Sequence, residues 1–350
     1  MSIEQYLRTC VDRGGSDIHL SVGRRPCLRV NGEVRDLDAP VLTAEATERL
    51  MREILPTRLV KEMEELGTAD FAHAFGDEAR FRVSTFRQRG VHGLVLRRIP
   101  SKLLAFDQIG LPDHIKDLLL RPRGLILITG PTGSGKTTTL ATMIDEVNRT
   151  QPVHIVTIED PVEYTHVHKK AVITQREVGT DVPTFAEAMR RVLRQDPDIV
   201  MLGEMRDLET ISTAITAAET GHLVFGTLHT TGTARTIDRI IDAFPKESQE
   251  QVRTQLALSI VAVISQVLVP RKDKPGVVAA FEIMINTPAI ENYIRKGETF
   301  KITSDIQTGK KRGMVLLDES LMGLYRDGKI SAESAVEYSQ DPNEMRTRLA

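Results

Sequence analysis

Cysteine is scarce. Only Cys10 and Cys27 occur in 350 residues, so a disulfide framework or a four-cysteine zinc site within the chain is excluded. A reducing cytoplasm fits that usage. Long apolar runs are lacking too. The most apolar long stretch, Leu256 to Val269, has 14 residues and contains Ser259, Ser265 and Gln266. It is too short and too polar to span a bilayer. The first ten residues carry Glu4 and Arg8 and no apolar core, so no signal peptide is expected. Neither sign of charge dominates: 46 basic against 48 acidic residues leave a net charge of −2, which excludes nucleic-acid binding by bulk charge. The remainder is ordinary for a globular protein, 41% apolar and 27% charged, and the length suits two or three domains.

Two rhythms divide the chain. Ile3, Tyr6, Leu7, Cys10 and Val11 recur at helical spacing and Gly14-Gly15 stops that helix. Asn31-Gly32 between Cys27–Val30 and Glu33–Leu37 signals a hairpin. Helical patterns around Leu50, Met51, Ile54 and around Leu59, Val60, Met63, Leu66 follow, and residues 79–98 return to strand character. This predicts an α+β domain over residues 1–98 and a connector over 99–110. From Leu125 short β-rich runs alternate with amphipathic helices: Leu125–Thr129, Val153–Ile158, Asp198–Leu202 and Leu223–Leu228. That alternation predicts a parallel sheet covered on both faces, in a core spanning 111–275. Residues 276–350 read as mostly helical.

The run Leu125–Thr129 feeds Gly130-Pro131-Thr132-Gly133-Ser134-Gly135-Lys136-Thr137, the G-x-x-x-x-G-K-[ST] pattern of a phosphate loop. Its glycines let backbone N–H groups face phosphate oxygens, and the following helix presents its positive end. Thr132 to Thr138 are the candidate nucleotide contacts. Lys136 is placed for the β/γ-phosphates of ATP and Thr137 for Mg²⁺.

An apolar strand ending in Asp would ordinarily follow. Here Ile199–Leu202 ends in Gly203-Glu204, so Glu204 is the candidate to orient or deprotonate the attacking water. Glu159, Asp160 and Glu163 stand at the end of another strand, and strand C-termini gather on one rim of an open α/β sheet. They are the candidate Mg²⁺ and water shell. His222 and His229 bracket Leu223–Leu228, roughly 23 Å apart at ~3.3 Å per residue. His229, at the strand's C-terminal end, is the candidate γ-phosphate sensor. His222 is either structural or part of a subunit contact.

Residues 79–98 hold six arginines and no acid. Arg80 and Arg82 alternate with Phe81 and Val83, which makes one strand face basic. A guanidinium fork matches phosphate oxygens. Base-stacking aromatics are few here, only Phe81 and Phe86, so nucleic acid is not the expected partner.

These segments together resemble the secretion ATPase superfamily, and within it the type IV pilus retraction branch. The resemblance rests on Gly15–Leu20, residues 79–83 and 98–102, and the phosphate loop. It continues through Thr157–Pro161, Gln175–Gly179, Asp196–Asp207 and the histidine-bearing Ala218–Thr230. It implies an α/β RecA-like P-loop core with a smaller α+β PAS-like N-terminal domain and a helical C-terminal segment. It further implies a cytoplasmic homohexameric ring at the inner face of the cytoplasmic membrane, with ATP bound between the domains. In that scheme Lys136, Glu204 and Glu163 serve catalysis, and Arg82 and Arg97 are offered to the nucleotide. The implied partners are the inner-membrane pilus platform protein, pilin indirectly, and a paralogous ATPase.

The low cysteine count sets the chain apart from the extension and type II relatives, which usually carry a four-cysteine zinc motif. The retraction branch's C-terminal signature, Ala-Ile-Arg-Asn-Leu-Ile-Arg-Glu, reads here Ala289-Ile290-Glu291-Asn292-Tyr293-Ile294-Arg295-Lys296. Glu291 and Lys296 reverse the charge at two positions. An accessory motor of the same family is the alternative this implies.

Overall fold

The computed structural model describes every residue except Asn31, Asp77 and residues 100–102. Two compact units are present, Met1–Lys102 with Pro161–Thr165, and Leu103–Asp160 with His166–Ala350.

The first unit is built on six antiparallel strands: β1 (Asp17–Leu20), β2 (Cys27–Val30), β3 (Glu33–Asp36), β4 (Thr68–Phe75), β5 (Ala79–Gln88) and β6 (Val91–Ile99), in the order β3-β2-β1-β6-β5-β4. The first helix, Ile3–Asp12, starts at a capping box in which Ser2 and Gln5 exchange side-chain and backbone bonds. Its buried residues are Ile3, Tyr6, Leu7 and Cys10, the stripe its spacing indicates. The arginine-rich stretch is a hairpin. It turns at Arg89 and Gly90, whose φ values of 50° and 80° suit a tight turn between twisted strands. Phe81 and Val83 are buried and Arg82 is exposed, as strict alternation requires. Asn31 of the hairpin signal and residues 100–102 of the connector lie outside the described residues. β2 and β3 nevertheless pair in register, Val30 opposite Glu33.

The second unit carries seven strands: β7 (Gly124–Thr129), β8 (His154–Glu159), β9 (Val172–Glu177), β10 (Ile199–Leu202), β11 (Leu223–Leu228), β12 (Ile260–Pro270) and β13 (Val277–Ile285). Their order is β13-β12-β7-β11-β10-β8-β9, and only the β12–β13 pair is antiparallel. Both faces are covered. Leu125 and Leu127 enter one apolar cluster, while Ile126 and Ile128 enter the other. Period-two burial on both sides is why these strands read as unbroken apolar runs.

Two expected boundaries differ from the structure. The core sheet does not end at 275: β13 pairs with β12 from Ala262↔Ile285 to Pro270↔Val277, and helices follow only from Pro288. Residues 103–110 are not a free connector, because Phe106 and Ile109 are buried in the core cluster with Ile115 and Ile126. Apolar side chains of that size are held by burial rather than left in a linker. Among the described residues no helix is long and apolar enough to cross a membrane.

Candidate active site

Strand β7 delivers the phosphate loop, and the helix Lys136–Thr150 leaves it. Gly130, Gly133 and Gly135 take φ values of 142°, 79° and 87°, which L side chains adopt only under strain. A methyl group at Gly130 would also stand 2.2 Å from the Gln266 carbonyl oxygen. Lys136 is buried, and its Nζ donates to the carbonyl oxygens of Gly130 at 2.8 Å and Pro131 at 3.0 Å. Burial pushes its ammonium down, and the negative charge of Glu204 works against that shift.

The neighbouring parallel strands β11 and β10 end on the same rim. Past them lie His229 and Glu204. His229 Nε2 is 2.9 Å from Glu204 Oε1, and Arg206 Nε is 2.6 Å from the same oxygen. On its other side His229 Nδ1 is 3.4 Å from the Thr132 hydroxyl. An imidazole that donates from Nε2 to the carboxylate has Nδ1 free to accept from Thr132. The phosphate loop is thereby joined through His229 to Glu204. Burial alone would raise the Glu204 carboxyl. Arg206 against it, with His229 and the Lys136 ammonium nearby, holds it below the ordinary carboxylate range. At neutral pH it is an ionised base. Glu204, Arg206, His229 and Arg239 line a cavity of about 310 Å³.

Gly203 occupies the position where an Asp is ordinarily found. A methyl group there would come within 3.3 Å of the Glu159 Cα and the Ile158 carbonyl oxygen. The close approach of β8 therefore favours glycine. Glu159 itself is buried, and its Oε1 accepts from the Thr157 hydroxyl at 2.7 Å and the Gln175 amide at 3.1 Å. Asp160 is exposed and near enough to Arg206 to help raise it.

The expected shell of Glu159, Asp160 and Glu163 is not assembled as a trio. Among the described residues no group of three or more metal-binding side chains forms. Pro161–Thr165, with Glu163, is part of the first unit, whereas Glu159 and Asp160 belong to the second. His222 sits at the far end of β11, where its Nδ1 is 3.2 Å from the Ala217 carbonyl at a helix C-terminus. That carbonyl also accepts the backbone N–H groups of Gly221 and His222, so the His222 ring lies against a helix end that is already capped. Arg206, Thr157, Gln175 and Gln266 were not singled out from the sequence. The first three fall within the segments that carry the resemblance but have no role of their own there; in the structure Arg206 meets Glu204, Thr157 and Gln175 hold Glu159, and Gln266 reaches the loop.

In the first unit Arg82 and Arg97 stand directly opposite one another on β5 and β6, and Arg97 is opposite Asp17 on β1. Arg97 Nε donates to Asp17 Oδ1 at 2.9 Å. Asp17 is buried, which raises its carboxyl. The Arg97 bond, the Ser16 hydroxyl and the Arg97 charge outweigh burial and bring it below its ordinary value. A carboxylate depressed by folding stabilises above its unfolded pKa and loses that contribution as pH falls through the folded one. Asp17→Asn should therefore cost ~1–2 kcal/mol at pH 7, because Arg97 is mostly exposed and regains water. The deficit should shrink below about pH 4. Thermal unfolding of both proteins at pH 7 and pH 3 checks this, and equal curves at pH 7 would refute it.

Residues 2–296 match the family model of the Type II/IV secretion system protein. The chain belongs to that family. It is 49% identical over 98% of its length to the type IV pilus retraction ATPase PilT of Pseudomonas aeruginosa, covering 99% of that protein. It is 38% identical to the type IV pilus ATPase PilU of the same organism, over all of this chain and 91% of that one. The crystal structure of the pilus retraction motor PilT with bound ADP superposes with a TM-score of 0.92 at 44% identity, covering 99% of both chains. Within the Type II/IV secretion family, then, similarity to PilT extends along the whole chain, and an ADP-bound relative shares its fold.

Proposed function

We propose that this chain is the ATP-hydrolysing motor of type IV pilus retraction. The observation that carries it is the continuous path from phosphate loop to Glu204 through Thr132 and His229, in a chain similar to PilT from end to end. In this reading the second unit is RecA-like and the first PAS-like. Six copies form a cytoplasmic ring at the membrane, acting on the inner-membrane platform protein and, through it, on pilin. Lys136 and the loop N–H groups hold the phosphates. The Thr137 hydroxyl and the carboxylates of Glu159 and Asp160 are hard oxygen donors suited to Mg²⁺, which would supply charge neutralisation on the phosphates. Glu204 takes a proton from the attacking water. His229 distinguishes ATP from ADP at the loop. The test is a pilus retraction assay in cells lacking the chain: pili should persist and retraction should stop. Undiminished retraction would overturn the reading.

Glu291 and Lys296 favour one second reading, an accessory motor like PilU with an altered partner. The helix Pro288–Lys296 buries Ile290 and Ile294. Ala289 is exposed. Glu291 lies in the first turn and Arg295 and Lys296 in the last, the arrangement a helix dipole favours. Charge complementarity sets partner choice, so the double change Glu291→Arg with Lys296→Glu should leave ATP turnover within about twofold. It should impair work with the cognate machine. Loss of hydrolysis in the purified double variant would instead place this helix in the motor itself.

A further inference from the structure

We propose that Gln266 is a positioning residue of the phosphate loop, a strut that sets the loop's shape from the neighbouring strand. The inference rests on reading Gly130–Thr137 as the ATP phosphate site. The sequence of β12, Ile260–Pro270, is apolar except at Ser265 and Gln266. It lies between β13 and β7. A strand in that place gains most from Val, Ile and Leu, and a carboxamide there is costly unless its polar atoms are paired. Gln266 is 1% exposed.

Its side chain is used on the loop. Nε2 donates to the Ser134 carbonyl oxygen at 2.5 Å. The same residue touches both glycine ends of the motif. Its carbonyl oxygen abuts Gly130, and a methyl group at Gly135 would lie 3.1 Å from its Nε2. Gly135 is the N-cap of the helix that begins with Lys136. Gln266 therefore meets the loop twice, with its backbone at Gly130 and its side chain at Ser134 and Gly135. Within the loop, Lys136 Nζ ties back to the Gly130 and Pro131 carbonyls, whereas Gln266 holds the loop from outside, from the neighbouring strand. The Ser134 hydroxyl and Gln266 Oε1 are both buried without a hydrogen-bond partner among the described residues. Both atoms lie at the loop, where buried polar groups ordinarily find partners.

The loop's N–H groups bind phosphate in ground and transition states alike. Loss of their alignment should weaken nucleotide binding uniformly and leave the chemical step nearly intact, which appears as a KM effect. The test uses the full chain with Gln266→Leu and Gln266→Met. Both fill the buried volume and lack the amide. ATP turnover, ADP affinity by titration, and thermal unfolding are measured for each, with Lys136→Ala as control. The expected result is a rise of about tenfold or more in KM for ATP and in the ADP dissociation constant, the factor that loss of one buried hydrogen bond produces. Turnover at saturation should stay within about threefold and unfolding should be unchanged. Unaltered KM and ADP affinity in either folded variant would overturn the proposal. So would a fall in turnover and melting temperature with affinity preserved, since that is packing alone. If Leu prevents folding, the more adaptable Met carries the test. Full turnover in Lys136→Ala would instead sink the phosphate-site reading itself.

Discussion

Glu204→Gln should lower ATP turnover by ~10²–10⁴-fold, the usual loss for a general base, while ADP binding stays near that of the unaltered chain. The substitution keeps the shape and removes only the charge and the proton acceptor. Glu204 Oε1 is held by Arg206 and His229, so the carboxylate is aimed before any water arrives. Those partners also hold its pKa below the ordinary value, so the base is ionised throughout the neutral range. Any acid limb it contributes to the rate lies below pH ~4.5. Steady-state turnover with ADP titration separates the two effects. If Glu204→Gln lost nucleotide affinity as severely as it lost turnover, Glu204 would be a binding group and its assignment to the water would fall.

The site was legible where chemistry is written in consecutive residues. Gly130–Thr137 follows a buried strand, and the strand-plus-loop context alone locates the phosphates. His229 and Glu204 could be nominated because each ends an apolar strand, and parallel strands deliver their C-termini to one rim. Their mutual 2.9 Å contact depends on β10 and β11 being neighbours, which no local pattern states. The acidic run after β8 is less legible. Glu159, Asp160 and Glu163 are close in sequence, but Pro161–Thr165 is part of the other unit. β12 escaped notice because the helix Gln249–Ser259 runs into it without a polar break at Ile260, so one apolar stretch hid two elements. β13 followed it unseen. The arginine face was read correctly as alternation on β5. The Asp17 that engages Arg97 lies 80 residues away, and only antiparallel register puts them opposite.

Lys136→Ala should abolish tight binding of both ATP and ADP, and hydrolysis with it. The contrast with Glu204→Gln follows from what each group touches. Lys136 leads the helix at the loop's end, where the positive helix terminus and the loop N–H groups converge on phosphate. Its ammonium is buried and bonded to two loop carbonyls, and burial already lowers its pKa. A buried cation so disposed is offset by few contacts in the protein, so an incoming phosphate offers it a strong charge-assisted partner. Alanine removes that cation and leaves the Gly130 and Pro131 carbonyl oxygens without its hydrogen bonds. Arginine should not rescue, because its planar fork is larger than the space Lys136 fills and cannot act as a compact charge. ADP titration of Lys136→Ala and Lys136→Arg checks both statements. Retained ADP affinity in the alanine variant would show that the loop backbone alone holds nucleotide, and Lys136 would then be reassigned to the transition state, where only turnover and not binding depends on it.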